Sequence, residues 1–132
     1  MLSESSVRRA IDHLSVVGDT DLFPPLPELK FFAAQTDEVV SIATKLTPNQ
    51  YRPVSSIEVL TPKSALGFRI GHQLTATDSL IYCASVIENG ERIEALRQEN
   101  SGDIAFAYRC DPNGGPRLYQ VAQAAVLHFR FS

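Results

Sequence analysis

Val54-Ser55-Ser56-Ile57-Glu58-Val59-Leu60, then Thr61-Pro62-Lys63-Ser64-Ala65-Leu66, then Gly67-Phe68-Arg69-Ile70-Gly71-His72-Gln73-Leu74, decides the fold class of this chain. The first run carries Ile57, Val59 and Leu60 and reads as a strand from Val54 to Leu60. The third reads as its shorter partner from Gly67 to Leu74, and Pro62 to Leu66 supply the turn. A β-hairpin with a basic tip is expected, set among helices on both sides, which makes the chain α+β.

Upstream, Val7, Ala10, Ile11, Leu14 and Val17 recur at helical spacing, with Ser3 or Ser5 as N-cap and Gly18 placed to end the helix in a left-handed conformation. Phe23-Pro24-Pro25-Leu26-Pro27 is extended, because each proline lacks a backbone donor and biases its predecessor away from helix. Pro27 opens a short helix through Phe31 and Phe32. A further helix runs from about Asp37 to Lys45, and Thr47-Pro48-Asn49 breaks it. Downstream, Thr75-Ala76-Thr77-Asp78 has a capping-box pattern with Asp in place of Glu, and Leu80, Ile81, Ala84 and Ile87 form a buried helical stripe. Asn89-Gly90 interrupts that helix. Ile104, Phe106 and Tyr108 alternate with Ala105, Ala107 and Arg109 as a strand does, and Asp111-Pro112-Asn113-Gly114-Gly115-Pro116 is a turn. The tail 120–132 is ambiguous between helix and strand.

A chain of 132 residues, 44% hydrophobic, suits a single domain, with 1–50 mainly helical and 51–119 arranged as hairpin, helix and strand. No apolar run approaches the roughly 18 residues that span a bilayer, and the start lacks a basic then apolar leader. The expectation is a cytoplasmic protein without a membrane partner. Cys83 and Cys110 have no neighbour at metal spacing and are expected to be free, buried thiols.

The net charge of -3 is unevenly spread. Lys45, Arg52, Lys63 and Arg69 stand against Glu58 alone in the middle of the chain, whereas acidic groups outnumber basic ones on both sides. Such a segment is either ordinary surface charge or a phosphate-binding patch. No His-x-x-x-His, Gly-x-Ser-x-Gly or Gly-x-x-x-x-Gly-Lys occurs. His13 lies on the polar side of the first helix and is expected to be solvated, and His72 is at most a minor contributor to phosphate binding. Asp19 and Asp21 read as a self-bonded turn, Asp78 as a helix cap, and Glu94 with Arg97 as a surface ion pair.

Two ordered sets of residues add a resemblance. Gly18-Asp19-Thr20-Asp21-Leu22-Phe23-Pro24 is one. The other is Pro62-Lys63 through Phe68-Arg69, followed by Gln73-Leu74, Asp78, Ile93-Glu94, Arg97 and Ala107-Tyr108-Arg109. Together they resemble the fingers region of bacterial reverse transcriptases, the RNA-directed DNA polymerases of phage-defence systems, over most of residues 8–119. The resemblance implies that Lys63 and Arg69 contact phosphate, and that Tyr108 and Arg109 approach nucleic acid. A satisfied, buried Tyr108 and an Arg69–Glu58 pair across the hairpin are the structural alternatives.

The implied partners are RNA or an RNA-DNA hybrid, a nucleotide, and either a palm-containing downstream chain or a second copy. No adjacent Asp-Asp occurs to clamp two metal ions. Asp103-Ile104-Ala105-Phe106 mimics a palm strand but precedes the Tyr108-Arg109 element. The chain is therefore expected to be a fingers fragment without a cofactor of its own, Mg entering only with an intact palm, and inactive alone. The surface awaiting the palm would include Phe106, Tyr108, Leu118, Tyr119, Val126, Leu127, Phe129 and Phe131. The alternative is a small stand-alone binding or protein-interaction domain.

Overall fold

Helix α1 (Glu4–Val17) forms where apolar residues recur at 3.6 spacing, and it starts at Ser3, whose hydroxyl accepts the Ser6 N–H. It stops at Gly18, whose φ of 79° and ψ of -175° lie in an extended region that only glycine occupies comfortably. The expected left-handed cap is thus replaced by a positive-φ extended one, and the Gly18 N–H still satisfies the Leu14 carbonyl. This computed structural model describes residues 1–18, 23, 25–47, 49–63, 67–97, 110, 111 and 118, residue 63 by its backbone alone.

Pro27 at the first turn starts α2 (Pro27–Ala34), and Gln35 separates it from α3 (Thr36–Ala43). After the hairpin strands β1 (Ile57–Lys63) and β2 (Gly67–Gln73) come α4 (Ala76–Glu88) and α5 (Gly90–Ala95), parted at Asn89 as the Asn-Gly pair suggested. Helices with an antiparallel two-stranded hairpin make the α+β class a finding. The expected strand over 104–109 and the tail lie outside the described residues.

The core is helical. Val7, Ala10, Ile11 and Leu14 of α1 meet Leu29, Val40 and Ala43 of α2 and α3, and Ala76, Leu80, Cys83 and Ala84 of α4. Ala10 and Ala84 are both fully buried, and such small side chains let neighbouring axes approach closely. Glu88, at the end of α4, accepts hydrogen bonds from the Ser3 N–H (3.0 Å) and the Ser3 hydroxyl. The end of α4 therefore meets the start of α1, and a carboxylate sits at the positive helix terminus. These bonds hold Glu88 below the usual carboxylate range. Arg8 joins Glu4 (2.8 Å) and Asp37 (2.7 Å) on the outside, an exposed network of small energetic weight.

The strands pair from Ile57↔Gln73 through Thr61↔Arg69 to Lys63↔Gly67. β1 begins three residues later than the sequence pattern predicts and continues through Pro62. The reason for the late start is that the Val54 N–H is taken by the Asp78 carboxylate instead of a strand partner. No helix among the described residues is long and apolar enough to cross a membrane.

Candidate functional site: a two-faced hairpin

Side chains opposite each other in an antiparallel pair share a face. One face of the ribbon therefore holds the pairs Ile57 and Gln73, Val59 and Gly71, Thr61 and Arg69, and positions 63 and 67; the other holds Glu58 and His72, Leu60 and Ile70, and Pro62 and Phe68. Positions 63 and 69 are diagonal neighbours on the first face, a separation of roughly 7–8 Å. Arg69 is exposed and makes no ion pair among the described residues. The Lys63 side chain, Tyr108 and Arg109 lie outside the described residues, so Arg69 and the register of position 63 carry the geometry.

The alternative pairing of Arg69 with Glu58 is excluded by the register, which puts them on opposite faces. Glu58 faces His72 instead, at 3.8 Å from its Nδ1, and His72 also lies 3.2 Å from the Ser56 hydroxyl. His72 thus stands away from the cation face.

The cation face is partly covered. Phe23 packs on Gly71 so closely that a Cβ there would lie 2.7 Å from the Phe23 ring and 3.3 Å from the Thr61 hydroxyl oxygen. Glycine at 71 is what admits the ring. The contact also seals the Thr61 hydroxyl from water without a hydrogen-bond partner. The opposite face is bare: Leu60, Phe68 and Ile70 are 68%, 73% and 61% exposed.

Where the hairpin meets the helices, Thr75 caps α4 by accepting the Asp78 N–H (3.1 Å). Asp78 does more than the capping expected of it. Its buried carboxylate accepts from the Tyr51 hydroxyl, the Val54 N–H (3.2 Å) and the Thr75 hydroxyl (2.7 Å). The Tyr51 bond chiefly holds Asp78 below the ordinary carboxylate range, while burial and the carboxylate push Tyr51 up.

Other sequence expectations move as well. Glu94 and Arg97 do pair, at 2.9 Å, but both are largely buried, and Glu94 also accepts the Cys110 N–H at 2.8 Å. The pair is a clamp on residue 110 more than a surface ornament, and the Arg9 guanidinium reinforces it by donating to the Asp111 carbonyl. Leu118, named for the surface awaiting a palm, is half-buried and packs against the core, and its carbonyl accepts the Asp111 N–H. His13 is half-buried rather than solvated. Cys83 is buried, which pushes its thiol up to about 11; Cys110 is half-buried and free. Asp19 and Asp21 are outside the described residues.

A cleft of about 510 Å³ opens between Leu2, Leu46, Tyr51, Pro53 and Ile81. The polar groups at its rim are engaged internally, Ser85 with the Ile81 carbonyl and Asn89 with the Ser85 carbonyl. Among the described residues no cluster of His, Cys, Asp or Glu is arranged to hold a metal. Comparison with known proteins finds no matching family model, curated protein or solved structure.

Proposed function

We propose that this chain is a fingers-type fragment of a reverse-transcriptase-like protein, whose hairpin holds the phosphates of RNA, an RNA-DNA hybrid or a nucleotide through Lys63 and Arg69. The observation that supports this reading is the placement of positions 63 and 69 as diagonal neighbours on one face of the ribbon, with Arg69 exposed. An arginine can bind two phosphate oxygens at once while a lysine adds a point charge beside it. Tyr108 and Arg109 extend this surface in the proposal. Polymerisation requires a palm with its paired carboxylates and Mg, supplied by a downstream chain, and antiviral defence is the setting the resemblance suggests.

Three cations, Lys63, Arg69 and Arg109, release few counterions, so binding is weak and its salt slope shallow, about -3 in log K against log salt. Fluorescence anisotropy of a labelled RNA-DNA hybrid at several salt concentrations tests this. The double variant Lys63→Ala/Arg69→Ala is expected to lose most of the affinity and the slope. Unchanged affinity in that variant rejects the phosphate-binding assignment.

A second reading has its own observation. The bare apolar face of Leu60, Pro62, Phe68 and Ile70 suits a protein-interaction module. Retained hybrid binding in Leu60→Ser/Phe68→Ser together with loss in Lys63→Ala/Arg69→Ala separates the two readings in favour of the first.

A further inference from the structure

The hairpin has two roots, and both end on the first turn of α4. The outgoing root is covalent: β2 ends at Gln73, and Leu74 leads directly to Thr75, the cap of α4. The incoming root is residues 51–56, and it is held from Tyr51 and Val54, both of which donate to the Asp78 carboxylate. The Thr75 hydroxyl donates to the same group. One buried carboxylate thus gathers three donors from the two sides of the ribbon.

Helix capping alone does not account for this arrangement. Thr75 already caps the helix through the Asp78 N–H. Two of the three bonds to the carboxylate come from residues 24 and 27 positions away, outside the helix. A carboxylate accepts all three at once; an amide in its place keeps the Val54 N–H only by turning its oxygen there, and its NH₂ group then meets the Tyr51 hydroxyl, which must give up its donated bond and accept instead.

Away from the roots, the described contact that steadies the ribbon is Phe23 on Gly71. It touches one face only and blocks motion in one direction. Among the described hydrogen bonds, those to the carboxylate are the ones that tie the incoming root to α4, and their loss would let that root move relative to the helix.

We infer that Asp78, acting with Tyr51, is the positioning residue of the hairpin: it fixes the angle at which positions 63 and 69 are presented. The structural claim stands on the bonds at the hairpin roots; its consequence for binding rests on the phosphate-binding reading proposed above. A surface preset in its binding orientation binds more tightly than one that must be ordered on contact.

The test uses the whole chain, in Tyr51→Phe and Asp78→Asn variants, with backbone amide residual dipolar couplings as readout. In the wild type, couplings from β1 and β2 are expected to fit the same alignment tensor as those from α1 and α4. In either variant the hairpin should fit a separate tensor of smaller magnitude, while the helices retain theirs. In Asp78→Asn the Val54 amide proton should also move upfield as it loses a charged acceptor. Affinity for the labelled hybrid should fall by roughly threefold or more. A hairpin that keeps the helices' tensor in both variants overturns the inference, whatever happens to binding.

If Asp78→Asn fails to fold, Tyr51→Phe decides, because it retains the carboxylate and the Thr75 cap. If the wild type does not bind the hybrid, the phosphate-binding reading fails, and the tensors still decide the positioning role.

Discussion

In the helical body, most of the apolar residues that recur along α1 and α4 end up buried or half-buried, Val17 at the end of α1 being exposed; in the hairpin, the apolar residues of β1 and β2 end up in solvent. Leu80 is 2% exposed and Leu60 is 68% exposed, although both stand in strongly patterned segments. The difference lies in what faces them. Four helices supply one another with a second layer, whereas a two-stranded ribbon has two faces and no layer of its own. Phe23 covers part of one face, and the other is left open. Patterning therefore determines which residues share a face, and burial depends on whether an opposing surface exists.

The sharpest way to break this comparison is to truncate one leucine in each region. Leu80→Ala is expected to cost about 3 kcal/mol in urea unfolding, through lost transfer energy and a cavity in the core. Leu60→Ala should change stability by less than about 0.5 kcal/mol. Equal losses would mean that the ribbon is packed in solution and that its bare face is occupied.

Acid should act on the joints of both regions. Asp78 and Glu88 are held below their ordinary values by hydrogen bonds in the folded chain. In the window between folded and ordinary values the unfolded chain binds more protons, so stability rises with pH there. Their contribution is complete above the ordinary carboxylate value of about 4 and is lost as pH falls through the depressed ones. Thermal melts from neutral to strongly acidic pH should show this acid limb. Asp78→Asn should flatten part of it; an unchanged limb would remove Asp78 as a cause.

Ser3→Ala probes the body alone. It removes the cap of α1 and one donor to Glu88, and about 1 kcal/mol is expected in the same unfolding assay. The smallest global effect is expected on the ribbon, at Gly71→Ala. The new Cβ meets the far end of the Phe23 ring, which can swing aside, so stability should move by under about 0.5 kcal/mol. The Phe23 ring resonances should shift all the same. Silent resonances would place Phe23 elsewhere in solution.

Local chemistry was legible wherever partners are close in sequence. The α1 stripe, the Ser3 cap, the Thr75 cap and the break at Asn89 all depend on residues within a few positions of one another, and each is where the pattern places it. The hairpin was legible as two strands and a turn, but its register was not: it sets Glu58 against His72 and so removes the Arg69–Glu58 pairing that the sequence left open. The latch at Asp78 was not legible, because Tyr51 and Val54 lie far upstream and neither carries a local signal. Nor was the tie between Arg9 and Asp111, which joins residues 102 positions apart. The strand pattern carried no statement about what covers the ribbon, and the missing opposing layer is why Leu60, Phe68 and Ile70 stay exposed.

Pro62, paired with Phe68 near the tip, has a bearing on how this chain behaves at high concentration. A ribbon whose strands pair only with each other among the described residues, and which carries an apolar face, has the makings of a fibril seed, since an arriving strand can add to an open edge. Proline withholds one donor from the ladder such a strand would need, and it sits beside the very residues that would reward stacking. The exposed arginine on β2 places a charge next to the other edge. The ribbon is thereby able to keep a sticky surface in water without polymerising into sheets, a safeguard that Pro62→Thr would weaken first.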